Sequence, residues 1–208
     1  MRLAIAGSAC TRVPRAFFER DTVVVARDLL GCVLAHETRD GIAAGRIVET
    51  EAYLSQGDAA SHSHRGRTER NASMFERAGT AYVYLIYGVH HCFNVVTGPK
   101  GVGEAVLVRA LEPLAGLARM RARRGVLRDR DLCSGPGKLA RALAIGRDHD
   151  GADLCRGPLG IYTMRAQDGA PPPAAERDIV VGARIGITRD ADHPLRFHLH
   201  GNAHVSRR

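Results

Sequence analysis

The feature that most narrows the fold of this chain is a succession of short strand-like runs with no helix-length segment regularly set between them. Gly45 to Leu54, GRIVETEAYL, alternates as a half-buried strand does. Ala81 to Tyr87 and Cys92 to Thr97 are β-rich runs joined through Gly88. Glu104 to Ala110 is another, and Ile179 to Thr188 and Leu195 to Gly201 close the series. The helical signals are brief. Asp21 to Leu30 is capped by Asp21 or Thr22 and stopped by Gly31. Leu114 to Arg124 exposes Arg119, Arg121, Arg123 and Arg124, and Ser134 to Ile145 is a turn followed by a helix that stops at Gly146. A strand–helix rhythm is missing, so an α+β fold with a mixed or antiparallel sheet is expected rather than a doubly wound one. Residues 1–12 read as a tail and 13–208 as one domain, since no repeat or linker divides the chain. Its 208 residues are enough to bury a real core. The stretch from Ala170 to Ala175, with its prolines, reads as a loop.

Charge points outward to a partner. Thirty basic side chains against 22 acidic ones give +8, which suits a polyanion because each neutralised phosphate releases counterions. A soluble protein rich in arginine fits the same numbers, for Lys100 and Lys138 are the lysines of the chain. Cys10, Cys32, Cys92, Cys133 and Cys155 are scattered, with no Cys-x-x-Cys pair, so neither a disulfide framework nor a zinc knuckle is expected. The pairs His62/His64 and His90/His91 have no cysteine or carboxylate at ligand spacing. The reading is therefore no metal and no cofactor. Neither a signal peptide nor an apolar run of membrane-spanning length is recognised, and a cytoplasmic protein is expected.

Several residues could carry chemistry. Glu49, Glu51 and Tyr53 alternate, so a strand puts them on one face, opposite Val48, Thr50, Ala52 and Leu54. The carboxylates then lie about 7 Å apart. Two readings stand: solvated glutamates on an edge strand, or an acid pair with the water-sized gap that inverting glycosidases use. Tyr82, Tyr84 and Tyr87 are either good strand formers or aromatic platforms for an unstacked base. The long run from Ser55 to Ser73 has no apolar period and carries His62, His64, Arg65, Arg67 and Arg70. A loop of that length is functional or disordered. SGPGK, ending at Lys138, fails as a phosphate-binding P-loop, because Leu132 replaces the first glycine and Leu139 follows the lysine. A helix start with Lys138 as a phosphate contact remains, beside a plain helix start with proline near its first turn.

Taken in order, RDLLG near Arg27, GRIVETEAYL, DAASHS, RNASMF, GTAYVYLIYGVHHCFNVV, AVLVRALEPLAG, DLCSGPGKLARAL and PLRF near Pro194 resemble the alkyladenine (3-methyladenine) DNA glycosylase family of animals and many bacteria. The resemblance runs from about Phe17 to Ser206. It implies one α+β domain on a curved, mostly antiparallel, open-barrel-like sheet with short flanking helices. It implies a monomeric, nucleoid-associated base excision repair enzyme that flips damaged purines (3-methyladenine, 7-methylguanine, hypoxanthine, ethenoadenine) out of double-stranded DNA and hydrolyses the N-glycosidic bond. Glu51 is similar to the general base, and Arg109 and the backbone carbonyl of Ile185 to groups that hold its water. Tyr53, His62 and Tyr84 resemble the walls of the base pocket, Asn94 the residue that reads the purine 2-position, and Tyr87 the wedge that fills the gap in the duplex. Val89 and His90 stand where bulkier residues are frequent, and GNAHVS replaces a Gly-x-Pro-Trp-like segment. No lysine neighbours Glu51 in its motif, so no Schiff-base lyase step is expected. Two alternatives are a non-catalytic nucleic-acid-binding module and a glycoside hydrolase that pairs Glu49 with Glu51.

Overall fold

One strand organises the molecule, as the computed structural model of residues 2–5, 7–164 and 178–206 makes plain. The described residues form a sheet of β1 (Arg2–Ile5), β2 (Ser8–Arg12), β3 (Val33–Thr38), β4 (Gly41–Tyr53), β5 (Ala81–Ile86), β6 (His90–Thr97), β7 (Glu104–Ala115), β8 (Leu159–Met164), β9 (Ile179–Gly182) and β10 (Arg196–Leu199). Their order is β1-β2-β8-β3-β4-β7-β6-β5, with β9 joined through β10 to β4. The pairings are antiparallel and the sheet is open. β4 pairs along one edge first with β3 and then with β10, and along the other edge with β7. A strand shared in this way has to bend. At its bend Gly45 passes so close to β7 that a Cβ would lie 2.9 Å from Glu112 O and from Leu111 Cβ.

Three irregularities lie where β4 meets β7: Leu114 is an extra residue on β7 between the pairs Ala44–Ala115 and Gly45–Pro113, and two opposed ones follow. Ile47 faces Leu111 and Glu49 faces Ala110, which leaves Val48 as an extra residue on β4. Thr50 then faces Val108, which leaves Arg109 as an extra residue on β7. Such bulges bend a strand and re-aim a side chain. Val48, expected beside Thr50 and Ala52, packs instead on Ala110 and Val205. Thr50 keeps the expected side, with its hydroxyl donating to Ala26 O at 2.8 Å.

The helices α1 (Arg15–Phe18), α2 (Thr22–Asp28), α3 (Leu117–Arg124) and α4 (Pro136–Ala142) are short. Asp21 caps α2 by accepting from the Val24 amide at 3.0 Å, as its residue type predicts. Together with the sheet they enclose the main core, in which Phe18, Leu29, Ile47, Phe93, Val108, Leu139 and Phe197 meet. The alternation along β5 sends Ala81 and Val83 into this core and Tyr82 and Tyr84 to the opposite face, where they pack with Met74, Val96, Ala105 and Tyr53.

Three expectations need correction. Residues 2–5 and 8–12 are a hairpin rather than a tail. Ile5 and Cys10 bury against Val33, Ala35, Ala44 and Tyr162, and β2 pairs with β8. The helix expected from Leu114 begins at Leu117, because β7 runs on to Ala115 and Gly116, at φ +77°, makes the turn. The strand expected to reach Thr188 ends at Gly182. The long run from Ser55 to Ser73, read as functional or disordered, is ordered by turns and by a 3-10 helix, Glu69–Phe75, whose start is closed by a reciprocal Thr68–Asn71 capping box. The proline loop from Ala170 to Ala175 lies outside the described residues. Among the described residues no helix is long and apolar enough to cross a membrane.

Candidate active site

The bulge that singles out Arg109 also gives the site its floor. The Arg109 guanidinium reaches two carboxylates, with Nε 3.1 Å from Glu49 Oε1 and Nη1 3.1 Å from Glu51 Oε1. Both glutamates are 0% exposed, so the solvated-edge reading of the pair fails. Their remaining partners differ. Glu51 Oε1 accepts from the Ile185 amide at 2.8 Å and Oε2 from the Tyr53 hydroxyl at 2.9 Å. Glu49 Oε1 accepts from Arg196 Nε at 2.7 Å and Ser206 Oγ at 3.0 Å, and its Oε2 from the Ser206 amide at 2.7 Å.

Above this floor opens a cleft of about 350 Å³. Tyr53, His62, Tyr82, Tyr84, Tyr87, Asn94, Arg109 and Ile185 line it, with Arg70, Met74, His90 and Cys92. Glu51 is not itself a lining residue, yet Tyr53, Arg109 and Ile185, its three partners, all are. Its carboxylate therefore sits one hydrogen bond below the cleft surface, and of the four lone-pair positions of a carboxylate one is left over. Glu49 lies deeper, for Arg109 alone among its partners reaches the cleft. Four donors converge on it, and this removes the two-carboxylate reading: Glu49 has no access to a ligand.

Electrostatics separates the pair further. Burial dominates at Glu51 and raises its carboxyl above the ordinary value, although Arg109, the Ile185 amide and the Tyr53 hydroxyl oppose the rise. At Glu49 burial also works against charge, but the Ser206 amide, Arg109 and Arg196 outweigh it and hold the carboxyl below the ordinary value. Neighbouring carboxyls driven apart in this way are a pattern that acid–base sites use and that structural ion-pair networks also produce.

The walls are aromatic. His62 and Tyr84 meet edge to face with ring centroids 4.5 Å apart, and Tyr82 and Tyr84 are 5.4 Å apart. His62 and Tyr84 thus form one continuous corner rather than two separated plates. The Tyr82 hydroxyl is 2.8 Å from His62 Nδ1. Burial, with Arg70 beside it, lowers the His62 pKa and keeps the ring neutral at pH 7. The Asn94 amide nitrogen donates to Tyr82 O at 3.0 Å, which fixes that side chain in the cleft. Tyr87 stands at the tip of the β5–β6 hairpin. Its φ of 52° and the 70° of Gly88 make a type I′ turn closed by Val89 N on Ile86 O at 3.2 Å. A left-handed tyrosine costs about 1–2 kcal/mol, and this one is 82% exposed. Gly137 of α4 lets the helix start press on the hairpin, since a Cβ there would lie 3.0 Å from His90 Cβ. Lys138 stays exposed, outside the cleft lining, with Nζ 3.3 Å from Ser134 Oγ.

Other residues shape the site without having stood out in the sequence. Asn71 donates to His62 O at 2.8 Å and Gly66 O at 3.0 Å, and so holds the loop that delivers His62. Asp58 and Arg184 form a buried ion pair beside Tyr53. Asn71 and Asp58 lie in RNASMF and DAASHS, two segments that carried the resemblance, so a signal was present; for Arg184 there was none.

The site is thus a buried acid beneath an aromatic cleft on an open antiparallel sheet. Comparison with known proteins gives the class of protein. A family model described as Methylpurine-DNA glycosylase (MPG) matches residues 16–203. The chain belongs to that family, and with it to the DNA repair hydrolases that cut N-glycosidic bonds. It is 56% identical over 196 residues to a Methanoculleus marisnigri protein, a match covering 94% of this chain and 99% of the relative. A Carboxydothermus hydrogenoformans protein is 48% identical with the same coverage, and a Burkholderia lata protein is 50% identical over 93% of this chain and 90% of the relative. All three bear the name "Putative 3-methyladenine DNA glycosylase".

Proposed function

We propose that this protein removes damaged purines, 3-methyladenine foremost, from double-stranded DNA, and that Glu51 is its general base. One observation carries the reading: every partner of Glu51 lines the cleft while Glu49 is turned away. The names of the relatives support the lesion. The damaged nucleotide leaves the stack and its base enters among Tyr53, His62 and Tyr84, while Tyr87 fills the gap in the duplex. A water on the free lone pair of Glu51 attacks C1′ and gives its proton to the carboxylate. The C1′–N bond breaks with its electron pair passing to the base, leaving an abasic sugar. The anionic Glu51 also stabilises the positive charge that develops on the sugar. A 3-methyladenine is already cationic and is attracted by the tyrosine faces; a neutral lesion such as hypoxanthine leaves only after taking up a proton. Asn94 excludes normal guanine by meeting its 2-amino group.

Glu51→Gln tests the reading. Single-turnover release of hypoxanthine from a duplex should fall about 10²–10⁴-fold, while affinity for the lesion duplex stays. Undiminished release would overturn it, and a wild-type chain that binds lesions without releasing any base would favour a non-catalytic binder instead.

A further inference from the structure

Asp58 and Arg184, 126 residues apart, meet in a two-pronged ion pair. Arg184 Nη1 donates to Asp58 Oδ2 and Nη2 to Oδ1, both at 2.7 Å, and both side chains are 0% exposed. Nη1 also donates to Ala52 O at 3.0 Å, at the end of β4. The guanidinium carbon lies 4.7 Å from the centre of the Tyr53 ring. Asp58 in turn accepts from the Leu54 amide at 3.0 Å and the Ala60 amide at 3.2 Å. A second carboxylate, that of Asp190, accepts from the Ala59 amide and ties the same two loops again. The end of β4, the loop that delivers His62 and the loop that delivers Ile185 are thus joined through one buried contact.

Such a pair is a poor source of net stability, because desolvating two charges offsets their attraction. Arg184 Nε adds to that cost, being buried without a partner. What the pair does supply is geometry. The peptide that follows Arg184 carries the Ile185 amide, and the ring beneath the guanidinium carries the Tyr53 hydroxyl. These are the two uncharged donors on Glu51.

We propose that Asp58 and Arg184 are positioning residues of the reaction, which aim Glu51 by fixing the Ile185 amide and the Tyr53 hydroxyl on its carboxylate. The proposal rests on Glu51 as general base, so Glu51→Gln is measured alongside. The test uses the full chain with Arg184→Met, Arg184→Lys and Asp58→Asn, single-turnover hypoxanthine release across pH, and affinity for an abasic-site duplex. Release by Arg184→Met should fall about ten- to a hundredfold with that affinity within about threefold of wild type. The acid limb of its pH profile should move to higher pH, because Glu51 loses donors that favour its charged form. Arg184→Lys keeps the charge without the fork and should stay nearly as slow. If Arg184→Met does not fold, Asp58→Asn and Arg184→Lys carry the same test. Folded variants that release base at the wild-type rate with an unmoved acid limb would overturn the positioning role, provided Glu51→Gln is inactive. Retained release by Glu51→Gln would remove the base itself and the positioning role with it.

Discussion

The surroundings of Glu49 and Glu51 are built from one strand and share one arginine, yet they serve opposite ends. Around Glu49 the chain gathers cations and the Ser206 amide until the charge is settled. Around Glu51 it leaves the carboxylate short of donors, so burial wins and the group holds its proton more tightly than a free glutamate. With Glu51 as the proposed base, stability and reactivity are divided between two side chains of the same type, and the division turns on how many donors reach each one.

The comparison makes four predictions. The largest effect is that already expected of Glu51→Gln on base release, and its sharper form concerns stability. A carboxyl with a raised folded-state pKa contributes stability below its unfolded value of about 4.3 and loses it as pH rises through the folded value. The neutral glutamine escapes that loss, so urea unfolding at pH 8 should find Glu51→Gln at least as stable as wild type. Glu49→Gln should do the reverse and lose about 3–5 kcal/mol, because Arg109 and Arg196 lose the buried carboxylate that they share; an unchanged urea midpoint would break the comparison. In the wild type the Glu49 contribution is present above the ordinary carboxyl range and disappears as pH falls through its lowered value.

Third, the pH dependence of base release should show an acid limb above the ordinary glutamate pKa of about 4.3, since the base must be ionised and burial raises Glu51. A limb below that value would mean that the donors, not burial, dominate there. The smallest effect lies outside both neighbourhoods. Tyr87→Gly relieves a left-handed side chain and should raise stability by about 1 kcal/mol, while release from duplex DNA slows. A stability change of opposite sign would show that the hairpin tip is held by contacts beyond its own turn.

The parts of the site legible in the sequence were those with a local period. ETEAY placed Glu49, Glu51 and Tyr53 on one face, and AYVY did the same for Tyr82 and Tyr84. The sequence could not announce the bulges, because alternation has no sign for an inserted residue, and so Val48 fell on the wrong face. β3 and β8 went unread for a related reason. Their first four residues are buried on both faces, which erases the two-residue period. Asp58 and Arg184 depend on a contact across most of the chain, which local pattern does not record.

The paired bulges also give strand length a second meaning in this fold. One unpaired residue on each strand cancels the offset left by the other, so the strands leave the region in step. Without Val48 the pairs Ile47–Leu111 and Glu49–Ala110 would follow one another directly, and the bend that β4 makes here would be lost. Without Arg109 the bulge on β7 would go as well, and with it the cation of the floor. At this crossing, then, the length of each strand sets where its side chains point as well as how far it reaches.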